Sequence, residues 1–356
     1  MAVRCAAQGL IFREWAAGMT AGESVAPEQG ADRNMPRGVV VEGPLVDAKF
    51  LDSRIAFVIM VTGSIAALVW AFTQGIGWVE ISVFLGTFAL STVGIGFMHR
   101  YFVHRSFRCG PVMRTLCAMV ATMAVQGSIL KWVSNHRRHH LHADKPGDVH
   151  SPYYDGAGNQ HVSFLKGMLH AQGGWVWDKQ TTDPEVYAKD ILADPIAMFF
   201  TRTRWYWVAA SAVLIPGAIG YAFGGVHTMI GCVLFSGLLR SYLMTMATSL
   251  VNSVCHSDGR YGYRRYELND GTTNELVTTI LTFGEGLHNN HHRFPRDAYL
   301  SHAWYEIDIN GLIILGLGKL GLVHDIFLSP VSAAGAVAGQ NPIDVVAEDL
   351  DASSVR

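Results

Sequence analysis

The sequence predicts an all-α integral membrane protein with four transmembrane helices in two hairpins and a cluster of histidines at one membrane face. Three observations carry this. The 356 residues are 50% hydrophobic and only 16% charged, less charge than a soluble domain of this size carries. Four apolar stretches approach the length a bilayer demands, roughly 20 residues. Histidines His99, His104, His136, His139, His140, His256, His288, His291 and His292 fall into four clusters, with spanning stretches separating the first two from the last two.

The first 49 residues mix Gly, Ala, Pro and charges without a sustained apolar period, and residues 328–356 are rich in Ala, Ser, Gly and Asp. Both ends are expected to be mobile, flanking one domain over 50–327. No signal peptide with a clean hydrophobic core is visible. The spans are placed at Ile55–Phe72, Ile81–Met98, Trp205–Phe223 and Val226–Leu250. Pro216 lies inside the third and Arg240 inside the fourth. The links Thr73–Glu80 and Gly224–Gly225 are short enough to make helical hairpins. A fifth stretch, Val112–Leu130, is moderately apolar. If it crossed, His99 and His104 would be separated from His136–His140, so it is assigned to the interface.

Four spans put both termini and every histidine cluster on one side. Arg100, Arg105, Arg108, Arg137, Arg138, Arg202, Arg204, Arg264 and Arg265 lie there too, whereas the short links carry no Lys or Arg. The positive-inside rule makes that side cytoplasmic. A net charge of −2 implies no nucleic-acid partner. The five cysteines form no CxxC pair and read as free thiols.

Imidazole is the commonest metal ligand. His136, His139 and His140 have i, i+3, i+4 spacing, as do His288, His291 and His292, which places each triplet on one helix face. A lone histidine is usually a surface or hydrogen-bonded core residue; two HxxHH triplets in one chain point to metal. His99 and His104, five apart, converge only if the helix ends or distorts between them. Nine imidazoles exceed the four ligands of one zinc and suit two ions. Asp144, Asp148, Asp258, Glu285 and Asp297 are candidate acceptors for the ligands' second nitrogens. His142, His150 and His170 are weaker candidates for that outer role. His161, His227, His302 and His324 are expected to stand apart. No HExxH and no dinucleotide-binding glycine motif occurs.

The motifs HRYFVHRSF, WVSNHRRHH, NSVCH and GEGLHNNHHRFP, in this order, resemble those of the membrane fatty acid desaturases. The similarity is greatest to the acyl-CoA Δ9 (stearoyl-CoA type) branch and its bacterial relatives, and it runs from about Phe50 to Val323. The resemblance implies a cytosolic helical domain capping the four spans and holding a di-iron centre. It makes the nine histidines the iron ligands and lets Asn252 reach one iron through a water. No further catalytic residue is implied. The implied reaction uses O2 and two electrons to place a cis double bond in a long saturated acyl chain. The electrons come from an external carrier of ferredoxin, rubredoxin or cytochrome b5 type with its reductase. Gln126, Trp132 and Thr248 stand at the positions that shape the kinked acyl channel in the acyl-CoA branch. Thr87 and Ser91, small and one turn apart below His99, are expected to leave room for C16–C18 chains. Eukaryotic acyl-CoA members carry Arg-Asp before the second cluster, where this chain has Ser134-Asn135. Arg137, Arg138, Lys145 and Lys166 are basic residues available to phosphates or lipid headgroups.

Overall fold

A computed structural model of the protein describes residues 36–337. Of the ends expected to be mobile, residues 1–35 and 338–356 lie outside the described residues. The described remainder is tethered at both ends. Strand β1 (Val39–Val40) pairs antiparallel with β3 (Thr181–Thr182). At the other end Ser329 and Ser332 both donate to the Asp297 carboxylate.

Helix α1 (Pro44–Gln74) opens with proline in its first turn, where the missing N–H costs nothing. Its 31 residues span ~46 Å, more than the ~30 Å hydrocarbon thickness, so its first turns emerge from the apolar layer. There Lys49 is buried, its ammonium bonded to the carbonyls of Trp175, Asp178 and Gln180. Gly75, at φ 78°, ends the helix. Helix α2 (Trp78–Gly96) follows at once, the Glu80 carboxylate reaching back to accept the Gly77 N–H at 3.1 Å. Phe57, Val58, Leu68, Phe72 and Trp78 are exposed apolar side chains on this hairpin, as lipid-facing residues must be.

Strand β2 (Arg108–Cys109) pairs with β4 (Val323–His324). Helix α3 (Pro111–Met123) then packs on α2, so closely that a Cβ at Gly94 would lie 2.4 Å from the Val120 carbonyl oxygen. The chain reverses over 124–128 into α4 (Ile129–His142), capped by the Ser128 hydroxyl. The fifth apolar stretch is therefore one helix and a return, and it leaves His99, His104, His136 and His140 together. Helix α5 (Phe164–Gln172) follows in the cap.

Among the described residues three helices are long and apolar enough to cross a membrane: Pro44–Gln74, Trp78–Val103 and Pro195–His256. The last has 62 residues but breaks at Gly224 and Gly225, whose φ values are −156° and 69°. Its arms fold back on each other. A Cβ at Gly220 would meet the Thr228 carbonyl oxygen at 2.6 Å, and one at Gly237 would meet the Ala212 carbonyl oxygen at 1.9 Å. Within the first arm lie α6 (Pro195–Ala209) and the start of α7 (Ile215–Cys232). Its beginning is ten residues earlier than hydropathy alone places the span, because Asp194 caps it at the N–H groups of Ile196 and Ala197. The second arm ends in α8 (Arg240–Ser253). Widened π-helical turns interrupt both arms, at Ala210–Leu214 and Val233–Leu239. Helices α9 (His288–Arg293), α10 (Ile309–Lys319) and α11 (Pro330–Val337) complete the cap. Its core joins Phe102, Phe107, Ile129, Val133, Ala197, Phe200, Ile314 and Ile326.

Candidate metal centre

The distortion the sequence demands between His99 and His104 is present. Phe97–Val103 form a π-helical turn, and the His104 N–H donates to the His99 carbonyl at 3.2 Å. An i→i+5 turn brings residues five apart onto one face, which an α-helix does not. The two rings lie 4.8 Å apart.

All nine predicted histidines converge, in two groups. His99, His104, His136, His140 and His291 form one, and His139, His256, His288 and His292 the other, each with its ligand nitrogens within 4.8 Å of one another. Each HxxHH triplet is split. On α4, His136 and His140 serve the first group and His139 the second. On α9, His288 and His292 serve the second group and His291 the first. The i, i+4 pair shares one side of the helix, and the residue between turns far enough to face the other group. A third, smaller group, His139, Asp148 and His150, abuts the second. Asn252 sits on α8, half-buried, one turn before His256.

Four histidines commit Nδ1 to a carboxylate: His99 to Glu285 at 2.5 Å, His139 to Asp148 at 2.9 Å, His256 to Asp144 at 2.6 Å and His292 to Asp270 at 3.1 Å. Ionised carboxylates only accept, so Nδ1 carries the proton and Nε2 is left bare. The Nε2 atoms of His139 and His292 then face each other at 3.3 Å, two lone pairs with no hydrogen between them. His99 Nε2 and His291 Nε2 approach to 3.0 Å, and His291 Nε2 and His140 Nε2 to 2.9 Å. His104 Nε2 is buried without a hydrogen-bond partner among the described residues. Burial opposes a second proton on His256, but the Asp144 carboxylate outweighs it and raises that ring above the usual imidazole range; on six others a second proton is disfavoured. Burial first, and the neighbouring imidazoles next, hold His104, His136, His140, His288, His291 and His292 well below the usual imidazole range. Bare nitrogens converging in a dry pocket, backed by carboxylates, are a donor set for metal cations.

Of the five acidic residues expected as acceptors, Asp144, Asp148 and Glu285 take the role. Asp258 pairs instead with Arg264 at the surface, and Asp297 holds Ser329, Ser332 and His302. Asp270 was missed: it lies 22 residues before His292, and no local spacing signals the pairing. Burial opposes ionisation of Glu285, but Arg100 and His99 outweigh it and hold the carboxyl at about 2. Arg100 is itself fully buried between Glu285 and Asp308, at 3.0 and 2.7 Å. His150 is buried against the His139 ring, while His170 bonds Ser151 and Asp178 away from both groups.

The remaining predicted contacts lie on the spans (Thr87, Ser91, Thr248), in the return before α4 (Gln126) and on α4 itself (Trp132). Trp132 stacks on His136, centroids 4.8 Å apart and planes 16° from parallel. The Gln126 amide donates to Thr245 at 3.3 Å, and Thr248 bonds only the carbonyl one turn back. Thr87 and Ser91 line a small cavity with Leu90, Ser211, Ile215 and Arg240. Two basic residues expected to be free for phosphates are not. Arg137 is held by Asp190 and the Val103 carbonyl, and Arg138 is buried against Gly147 and Gln180.

A sequence profile described as fatty acid desaturase matches residues 76–309. The chain belongs to the fatty acid desaturase family. It is 34% identical over 276 residues to a hex-5-enoyl-[acyl-carrier protein] acetylenase of Moorena producens, covering 76% of this chain and 84% of that one. It is 30% identical over 270 residues to an sn-1 stearoyl-lipid 9-desaturase of Anabaena variabilis, covering 74% and 90%. An icosanoyl-CoA 5-desaturase of Limnanthes douglasii is 30% identical over 284 residues, covering 78% and 72%. This desaturase is thus an oxidoreductase acting on fatty acyl substrates. The family uses iron, and the two imidazole groups are where this member has the donors to hold it.

Proposed function

We propose that the protein is an O2-dependent desaturase that places a cis double bond, at Δ9, in a C16–C18 saturated acyl thioester, an acyl-CoA. The observation that carries the reading is the pair of imidazole groups, five and four, at the mouth of an apolar helical bundle. Each group would hold one iron, and Asn252, one turn before His256, would support the iron of the second group. Bound there, the irons supply the O2 chemistry that removes two hydrogens from adjacent methylenes, two electrons from an external carrier and two protons completing the conversion of O2 to two waters. A ferredoxin, rubredoxin or cytochrome b5 type carrier would deliver the two electrons one at a time.

The chain's own residues do the rest. Asp144, Asp148, Asp270 and Glu285 fix ring orientation. Trp132 gives the acyl chain a flat wall beside His136, and Gln126 and Thr248 shape its bend. Thr87 and Ser91 leave depth beyond it. An alkyl chain offers no polar handle, so shape must choose which carbons meet the irons. The two arms of the 62-residue helix count as separate spans. Counted so, four spans would put the irons and both ends of the domain on one side of the membrane, and the arginines of that side support its being the cytoplasmic face. The stearoyl 9-desaturase among the relatives supports the Δ9 position. A second reading, removal of hydrogens from an existing double bond to give a triple bond, is favoured by the acetylenase among them.

The deciding experiment is a fatty acid profile of a host expressing the protein, by gas chromatography–mass spectrometry with double-bond localisation, beside its His140→Ala variant. A cis-9 monoene lost in the variant is expected. An acetylenic or hydroxylated product instead would overturn the proposed reaction, and a monoene unsaturated elsewhere the proposed position.

A further inference from the structure

Arg240 is fully buried at membrane depth, and among the described residues no carboxylate faces it. Its three bonds go to neutral oxygens. Nε donates to the Ser236 carbonyl at 2.7 Å, one terminal nitrogen to the Ser91 hydroxyl, and the other to the Ser211 hydroxyl at 3.0 Å. Ser91 and Ser211 each pass their own proton to a backbone carbonyl, at Thr87 and Met123, so both are held as acceptors. The neighbouring Ser236 hydroxyl is buried and unpartnered. Burying an uncompensated cation is costly, and within a bilayer such residues mark functional positions. Both π-helical turns of the arms lie here, holding Ser211 in one and Ser236 in the other. Widened turns of this kind recur at functional sites.

The position relates directly to the metal centre. Arg240, Met244, Thr248 and Asn252 follow one another at four-residue intervals on α8, an oblique row that winds round the helix on the way to His256. On α2, Ser91 lies eight residues before His99, ~12 Å along the axis. An extended alkyl segment of about nine carbons covers a similar distance. Between the two levels pack Ile95, Ala124 and Met244, and Phe88 packs against them from the far side, all apolar. At the far level lies the cavity lined by Leu90, Ile215 and the guanidinium.

We propose that Arg240 is the floor of the acyl channel and sets the longest chain the enzyme accepts beyond the reacting carbons. The inference rests on the desaturase reading above. The terminal methyl enters the apolar cavity, and one more methylene would have to displace a guanidinium held at three points by three helical segments. The side chain acts on specificity, not on the chemical step.

The test supplies the membrane-embedded protein with saturated acyl substrates from C14 to C22 and reads the chain lengths of the unsaturated products. Arg240→Ala should raise the ratio of C20 to C18 products about tenfold or more, the scale on which an apolar pocket discriminates a methylene. Arg240→Met, which keeps most of the volume without the charge, should move the ratio the same way by less. Ile215→Phe fills the cavity from α7 without touching the guanidinium and should favour shorter chains. Active variants with the wild-type length profile would overturn the role of Arg240 while leaving desaturation intact. A wild-type protein that desaturates none of the series would overturn the desaturase reading and this inference with it.

Discussion

Replacing Asp270 by alanine tests whether the carboxylates behind the histidines control the metal centre. Asp270 accepts from His292 Nδ1 at 3.1 Å, and its other oxygen is pinned by the Thr272 N–H and hydroxyl. The carboxylate is therefore pre-aimed, and the His292 and Asp270 side chains are only 3% and 11% exposed. Losing such an acceptor lets the ring rotate and change tautomer. The outer-sphere partners of metal-bound histidines are worth typically ~10–100-fold in affinity. That corresponds to about 1.4–2.7 kcal/mol. One of nine imidazoles is affected, in the smaller group, so the loss should fall on one metal first. The assay is iron retention against a graded chelator in detergent, with Asp258→Ala as control. Asp258 is acidic too but pairs with Arg264 at the surface, its side chain 70% exposed. Asp270→Ala should release its first iron at about a tenth or less of the chelator the wild type needs. Asp258→Ala should match the wild type. Equal retention by all three proteins would refute the argument that this contact orients His292.

His140→Ala and His291→Ala should each abolish metal loading and activity while the protein still reaches the membrane. His227→Ala, at the outer turn beside Trp70, should change neither; metal analysis and product profiles check both. Arg100→Met leaves Glu285 and Asp308 as buried charges without their cation and should cost about 3–5 kcal/mol, seen as a lowered midpoint in thermal unfolding. Burial opposes ionisation of Asp190, but hydrogen bonds from Arg137 and Arg105 lower its carboxyl from the usual 3.8 to about 2. Its folded pKa is depressed, so its contribution to stability is present above pH 3.8 and fades as pH falls through 2. Asp190→Asn should therefore melt below the wild type at pH 7, with the gap closing across that acid window. Gly237→Val forces a side chain onto the Ala212 carbonyl and should separate the two arms, costing ~1–3 kcal/mol and yield in the membrane fraction.

The apolar helices were legible because lipid imposes one rule, a long apolar run; the sequence suggests four such runs, and among the described residues three helices carry them, the last two runs both falling within Pro195–His256. Their ends were not. α1 extends eleven residues before Ile55 because Lys49 finds three carbonyls in the cap, a long-range contact that hydropathy does not encode. The histidines were legible because metal ligation requires one residue type at helical spacing. Their division into groups of five and four was not, since two triplets that each occupy one helix face give no sign of which ring turns towards which ion. Asp144, Asp148 and Glu285 were within reach of sequence reasoning because each sits inside a histidine motif or within eight residues of one. Asp270 is neither, and Arg137 and Arg138, read as surface charges, are tied into the cap by Asp190 and Gln180.

The splitting of the triplets couples the two imidazole groups through α4 and α9. Removing the α4 triplet takes two rings from one group and one from the other, and removing the α9 triplet does the reverse. Deleting either triplet damages both groups, whereas losing His99 and His104 would touch only the first and losing His256 only the second. The spacing between the groups is likewise written into the pitch of two short helices, which act as a fixed ruler across the centre. A half-built ancestor with one site complete is not reachable by erasing either triplet; it is reachable only through the unshared ligands, His99 and His104 on one side and His256 on the other.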